Sequence, residues 1–245
     1  MGRHGTIAGR KAAQDSKRAA MFTKYSRAIT VAAKAGGDPE YKASLKIAIE
    51  KAKGINLPND NIARAIKKGT GELEGETYEE LSFEGYGAGG VAVIVDALTD
   101  NKNRTTSAVR STFDKYGGNL GTPGCVAYMF ARKGVILIEK TDGVDEDALM
   151  EAALEAGAED MLVHEDFFEI QTEPSAYSDV HNALTDAGYE LVESDIEYVP
   201  SMESTPDESA VKNLKKMISI LEDNDDVQKV HTNCTIDLDE AYTRR

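Results

Sequence analysis

The sequence predicts an α+β chain in three parts: an N-terminal three-helix bundle followed by two ferredoxin-like α/β domains, one inserted in the other. Three observations predict it. Apolar residues recur at three- and four-residue steps through the first 70 residues, then change to period two or to short solid runs, which marks the passage from helices to strands. Positive charge is gathered ahead of that change: residues 1–70 hold 15 Lys and Arg against 5 Asp and Glu, net +10, and the rest carries −25, for −15 overall. Between residues 133 and 203 the predicted elements run βαββαβ, the order of a split βαβ unit.

In the first part, the stretch from Gly9 to Ala35 has no proline, and Phe22, Tyr25, Ile29 and Ala33 make an amphipathic stripe ended by Gly36-Gly37. Arg10, Lys17 and Lys24 repeat every seven residues and so fall on one line beside that stripe. Arg27 and Lys34 are expected to extend the basic arc on a face left free when the apolar stripe packs. Asp38-Pro39 reads as a helix cap with proline at the first helical position, leading Leu45, Ala48, Ile49 and Ala52 inward to a stop near Gly54. Pro58 opens a third helix with Ile62, Ala65 and Ile66 inward, Lys67 and Lys68 in its last turn, and Gly69 as its stop.

Residues 71–76 are polar and glycine-punctuated and read as a linker. Beyond it the pattern predicts a strand over 91–97, a helix over 104–116 and a strand over 126–131. Then come strand 135–139, helix 145–156, strands 161–163 and 167–171, helix 175–187 and strand 190–198. A last helix, 209–222, and strand, 227–232, cannot form a domain alone. Joined to 91–131 they complete a second α/β unit, so the expected domains are 1–75, 76–132 with 204–245, and an insert at 133–203.

Several functions have no support in the residues. The opening Met1-Gly2-Arg3-His4-Gly5 is not a secretory leader and no apolar run approaches a membrane span, so the expected address is the cytoplasm. Cys125 and Cys234 are far apart and the four histidines lack ligand spacing, so no metal is expected. Gly85, Gly87 and Gly90 satisfy G-x-G-x-x-G, but the motif runs directly into Val91-Ala92-Val93-Ile94-Val95 instead of opening a helix; it is expected to be a structural turn, with no nicotinamide or flavin cofactor. Asp100 is expected to start a helix rather than bind a cation. No nucleophile elbow or triad signature appears, and no catalytic residues are expected.

The concentrated cations point to phosphate. Arg3, Arg10, Lys11, Lys17, Arg18, Lys24, Arg27 and Lys34 lie in one segment, and Arg64, Lys67 and Lys68 are available from the third helix. A chain that neutralises several phosphates binds nucleic acid with a steep salt dependence. The acidic remainder would stay clear of phosphate or meet a basic protein partner.

At the level of words, the chain carries Asp15-x-Lys17-Arg18, Val31-Ala32-Ala33-Lys34-x-Gly36-Gly37, Leu57-Pro58-Asn59-Asp60-Asn61-Ile62, Ala65-Ile66-Lys67-Lys68-Gly69, Glu84-Gly85-Tyr86-Gly87, Leu98-Thr99-Asp100-Asn101-x-Asn103-Arg104-Thr105 and Met129-Phe130-x-Arg132-Lys133-Gly134. With these it resembles the YebC/PmpR family, which includes the mitochondrial translational activator of cytochrome oxidase subunit one. At its start, His4-Gly5-Thr6-Ile7 stands where that family commonly has His-Ser-Lys-Trp. The resemblance covers the whole chain and implies a three-domain α/β regulator of transcription that binds DNA, with members acting on translation at the ribosome and with no catalytic residues. The expected function is therefore a non-enzymatic nucleic-acid-binding regulator of transcription; the alternative is a ribosome-associated translation factor binding rRNA or tRNA.

Overall fold

The computed structural model describes residues 18–39, 43–236 and 238. The first helices are α1 (Arg18–Ala33), α2 (Ala43–Gly54) and α3 (Asn59–Gly69). Their inward positions build one small core of Ile29, Ala33, Leu45, Ile49, Ala52, Ile55, Leu57, Ile62 and Ala65, with Phe22 and Tyr25 packed at its edge. Thr30 is buried among them, and its hydroxyl proton is shared between the carbonyls of Ser26 and Ala65, so this buried hydroxyl is matched. The left-handed residue after α2 is Asn56 (φ 59°), two positions beyond the expected glycine stop. Asparagine tolerates that conformation better than other side chains do. The expected cap at Asp38 abuts residues 40–42, which lie outside the described residues.

The next elements are β1 (Glu79–Tyr86), β2 (Ala92–Thr99), α4 (Lys102–Lys115), β3 (Asn119–Leu120), β4 (Phe130–Glu139), α5 (Glu146–Glu155), β5 (Asp160–Val163), β6 (Phe167–Thr172), α6 (Tyr177–Asp186), β7 (Leu191–Pro200), α7 (Glu208–Glu222) and β8 (Val227–Thr232). They form two four-stranded sheets, ordered β3-β1-β2-β8 and β5-β6-β4-β7, and every pairing is antiparallel.

The second sheet, with its chain order βαββαβ, has the ferredoxin-like arrangement outright. The first has the same spatial plan by another route. With β8-β2-β1-β3 laid against β7-β4-β6-β5, β1 occupies the place of β6 but enters from the N-terminal side. The gap between β3 and α7, where an in-line strand would fall, holds the second sheet and its helices.

One expectation is corrected here, and two strands are added to those expected. The sequence pattern does not reveal β1 or β3. β1 alternates exposed acids with half-buried residues, so Glu79, Glu80, Ser82 and Glu84 disguise it as more linker. The segment 126–131 is not a strand of the first sheet: Ala127–Met129 form a short 3₁₀ turn, and Phe130 begins a ten-residue strand of the second sheet. Arg132-Lys133-Gly134 has the composition of a break but lies inside β4. The Arg132 guanidinium sits 5.7 Å from the centre of the Tyr198 ring, Lys133 pairs with Glu159 at 3.3 Å, and Gly134 leaves room for Thr172 and Tyr177.

β2 explains the solid apolar run that marked it. Val91, Val93 and Val95 pack under α4 and α7 with Val109, Phe113, Leu214, Met217 and Leu221, while Ala92 and Ile94 face Val126 and Phe130 on the opposite side. A strand covered on both faces has no polar alternation to show. The glycine motif is the turn joining β1 to β2. The Gly87 N–H donates to the Val91 carbonyl at 2.7 Å, and a Cβ on Gly87 would stand 2.5 Å from Leu214 Cδ2. Gly89 and Gly90 take φ of 72° and 74°, so the glycines serve backbone geometry and close packing.

Candidate nucleic-acid interface

Of the cations singled out in the sequence, Arg3, Arg10, Lys11 and Lys17 lie outside the described residues, and of Arg18 only the backbone is described. The rest divide into two groups according to what their charged ends meet.

Lys24 and Arg27 on α1, and Lys34 just past its end, sit on the side away from the bundle core, and that side meets the body. Lys24 Nζ donates to the Glu222 carbonyl at the end of α7. Arg27 Nη1 donates to the carbonyls of Leu98 and Asp225 and to Asp226 Oδ1 at 2.7 Å, and its guanidinium lies 5.2 Å from the centre of the Tyr78 ring. Lys34 Nζ donates to the Tyr78 carbonyl at 2.7 Å. Arg27 therefore departs from the expected open arc and fastens α1 to the first sheet, whereas Lys34 stays exposed while reaching the segment that leads into β1. Helical periodicity shows which residues leave the bundle core, not whether another domain waits on the far side.

The centre of this junction is Asp226, in the turn before β8. Its carboxylate also receives Arg104 through Nε and Nη2 at 2.8–3.1 Å and the Thr105 hydroxyl at 2.8 Å. Burial alone would raise its pKa; the bonds from Arg104, Thr105 and Arg27 outweigh that and hold the carboxyl below its ordinary range. A buried carboxylate between two guanidiniums is the arrangement in which removing one partner costs most. Asp100 takes part as well, pairing with Arg104 at 2.7 Å, while the helix cap falls one residue later on Asn101, whose side chain accepts from the Arg104 N–H. Asp100 is thus a partner of Arg104 and not the capping residue expected.

A second attachment joins the bundle to the second sheet. Lys51 pairs with Asp195 of β7 at 2.8 Å, Lys46 donates to the Asn182 side chain, and Glu50 lies 3.7 Å from His181 of α6. Burial pushes the His181 imidazole below its ordinary pKa against the pull of Glu50, so it sits here as a neutral ring. Lys229 of β8 closes the space between the sheets by pairing with Glu193, Asp195 and Glu197 of β7.

Arg64 and Lys67 on α3 remain exposed, with Lys68 half-buried where its methylenes lie over Gly75. No ion pair joins these three to a carboxylate among the described residues.

The chemistry elsewhere is structural. Glu84 accepts the backbone N–H groups of Gly124, Val126 and Ala127 at 2.7–3.0 Å, which outweighs its burial and lowers its pKa. Tyr128 stands out of that loop, 64% exposed. The Cys125 thiol is pushed up by burial and then by the Glu84 charge, and the Cys234 thiol by burial, the opposite of an activated nucleophile. No group of three or more metal-ligating side chains is found among the described residues. No helix among them is long and apolar enough to cross a membrane.

Sequence reasoning missed Asp226 and Arg104 as the junction. A signal was present: Lys102 and Arg104 stand in the first turn of α4, where cations oppose the helix dipole and have to be compensated by something outside the helix.

Comparison with known proteins places the chain in a family. Residues 3–72 match the TACO1/YebC N-terminal domain and residues 78–234 match the TACO1/YebC second and third domain. A probable transcriptional regulatory protein of Clostridioides difficile is 54% identical over 239 residues, covering 97% of this chain and all of the relative. The probable transcriptional regulatory protein YrbC of Bacillus subtilis is 49% identical over 229 residues, covering 93% of this chain and 95% of the relative. Among solved structures, a conserved hypothetical protein from Aquifex aeolicus superposes with a TM-score of 0.82 at 46% identity, covering 91% of this chain and 92% of its own.

Proposed function

This chain belongs to the TACO1/YebC family, and on that premise we propose that it is a non-enzymatic, cytoplasmic regulator of gene expression that acts by gripping nucleic acid through the bundle. The Clostridioides difficile and Bacillus subtilis relatives are named probable transcriptional regulatory proteins, which supports regulation as the role and transcription as its level. The observation that carries the reading is the charge division: net +10 in residues 1–70 against −25 in the rest. Arg64, Lys67 and Lys68, with Lys34 and the cations at 3–18, supply the phosphate contacts; Lys24 and Arg27 hold the bundle in place. We read the domains as 1–75, 76–132 with 204–245, and 133–203, with the start of the insert drawn back to Phe130, where β4 begins.

A second reading, action on RNA at the ribosome, is favoured by one feature. Helix α1 is fastened along its side to the body, so its described length is not available to lie in a major groove as a recognition helix would. Recognition of RNA by backbone charge and shape needs no such helix.

The test is direct. R64Q/K67Q/K68Q in the full chain should weaken binding to a fluorescent duplex and flatten its salt dependence by about 0.9 for each phosphate that is no longer neutralised. An affinity unaltered by the three substitutions would remove α3 from the interface. In cells lacking the protein, altered promoter output with normal elongation supports transcription, whereas ribosome pauses at particular codon runs support translation.

A further inference from the structure

The body is strongly acidic, yet its positive charge is not scattered. Helices α4 and α7, which lie side by side over the first sheet, hold Lys102, Arg104, Arg110, Lys115, Lys212, Lys215 and Lys216 against Asp114, Glu208 and Glu222, net +4. Helices α5 and α6 cover the second sheet from the same topological positions. They hold six carboxylates and neither Lys nor Arg. Two helical layers of one architecture therefore carry opposite sign, which packing against a sheet does not require.

Arg104 is committed to Asp226. Of the other six, five are exposed, with Lys102 at the solvent end of the helix, and Lys215 is half-buried; none pairs with a carboxylate among the described residues. Lys102 stands in the first turn of α4, against the helix dipole, and unlike Arg104 has no internal acid to compensate it. Ser107, Arg110, Ser111, Asp114 and Lys115 line a shallow depression, and Asn103 on α4 and Asn213 on α7 are exposed. Cations set along about 20 Å of helix, interleaved with hydroxyl and amide donors, suit a repeating row of phosphates. The row starts at the bundle, because α4 begins at the Asp226 junction that holds α1.

We propose that the outer face of α4 and α7 is a second binding surface for the phosphodiester backbone of a nucleic acid, continuing the surface of the bundle and reading no base sequence. It extends the proposed function and rests on it. The bundle starts the contact; the helical layer lengthens the footprint, while the acidic layer of α5 and α6 is kept off the backbone.

The full-length chain carrying K102Q/R110Q/K115Q would be titrated by fluorescence anisotropy against duplex DNA and duplex RNA of about 20 base pairs, between about 50 and 200 mM salt. The plot of log affinity against log salt should become shallower by about two to three for duplex DNA, with affinity at the lowest salt down at least tenfold, and the larger response identifies which backbone is bound. D114N, a single exposed change that spares the fold, should tighten binding two- to threefold. A triple variant that melts like the wild type yet keeps its affinity and slope overturns the proposal, as does a D114N affinity that does not move. A triple variant that loses affinity for a polyglutamate probe but for neither duplex assigns the face to an acidic protein, and also overturns it. If the wild type binds neither duplex, the nucleic-acid reading of the whole chain fails. If it binds and responds to R64Q/K67Q/K68Q alone, only the second surface fails.

Discussion

In the first α/β unit the sheet β8-β2-β1-β3 lies under α4 and α7, and in the second the matching sheet β7-β4-β6-β5 lies under α5 and α6. The cores obey the same rule. Val109, Phe113, Leu214 and Met217 fill the first, and Leu149, Ala153, Val180 and Leu184 fill the second. The outward faces do not: one helical layer is basic and hydroxyl-rich, the other wholly acidic. The sheet order and the inward positions answer to packing. The outward charge is under no such constraint, so its divergence between equivalent layers is where a difference in role can be read.

The bundle is held differently by the two units as well. Its hold on the first passes through a buried carboxylate with two guanidinium partners; its hold on the second relies on the more accessible Lys51–Asp195 pair, on Ile47, and on the Glu50–His181 approach. The largest expected effect is therefore at Asp226. D226A takes the carboxylate from the mostly buried Arg27 guanidinium, while the half-exposed Arg104 keeps Asp100, and should cost about 1–3 kcal/mol in urea unfolding. A loss below about 1 kcal/mol would mean that the two attachments are equivalent after all.

The pH response should separate them next. His181 is neutral in the folded chain with a lowered pKa, so the unfolded chain takes up that proton first, and stability falls as pH drops below about 6.5. Asp226 and Glu84 have lowered folded-state values. Their contribution is complete above the unfolded carboxyl range and is lost only as pH drops below about 4. Unfolding midpoints measured from pH 8 to 3 should show both falls, and H181N should abolish the upper one alone. An upper fall that survives in H181N would place its origin elsewhere.

Removing Lys51 comes lower, because a partly exposed pair contributes about 0–1 kcal/mol; K51A should shift the urea midpoint no further than that. The smallest effect is expected on α5, where E146Q/E151Q/E155Q changes only exposed or half-buried carboxylates. Its stability should stay within about 0.5 kcal/mol of the wild type. Its salt slope for duplex binding should also be unchanged, and a steeper slope would bring the second unit into the interface.

Much of the fold is legible because it is written in local periods. β8 can be read to the residue, and the helices other than α1 can be placed within a few residues, since each carries its apolar stripe and its stop within a dozen positions. β1 is not legible, because an edge-like strand with acids along it has the composition of a linker. β4 is cut in two by its pattern, because two cations and a glycine look like a turn until Tyr198, Glu159 and Tyr177 are seen beside them. The site is legible only as a sum of charge. Which cations are open is not, because Asp226 is about 200 positions from Arg27 and nothing local in either segment names the other.

The sequence by itself determined the elements, the α+β class and the separation of charge along the chain, since propensity, hydrophobic period and net charge are properties of neighbouring residues. Only the tertiary structure decided that Lys24 and Arg27 are fasteners, and that α4 and α7, about a hundred residues apart, lie side by side with their cations. Both depend on which distant segments meet, and that is fixed by the burial of β2 between two layers, not by any stretch of chain taken alone.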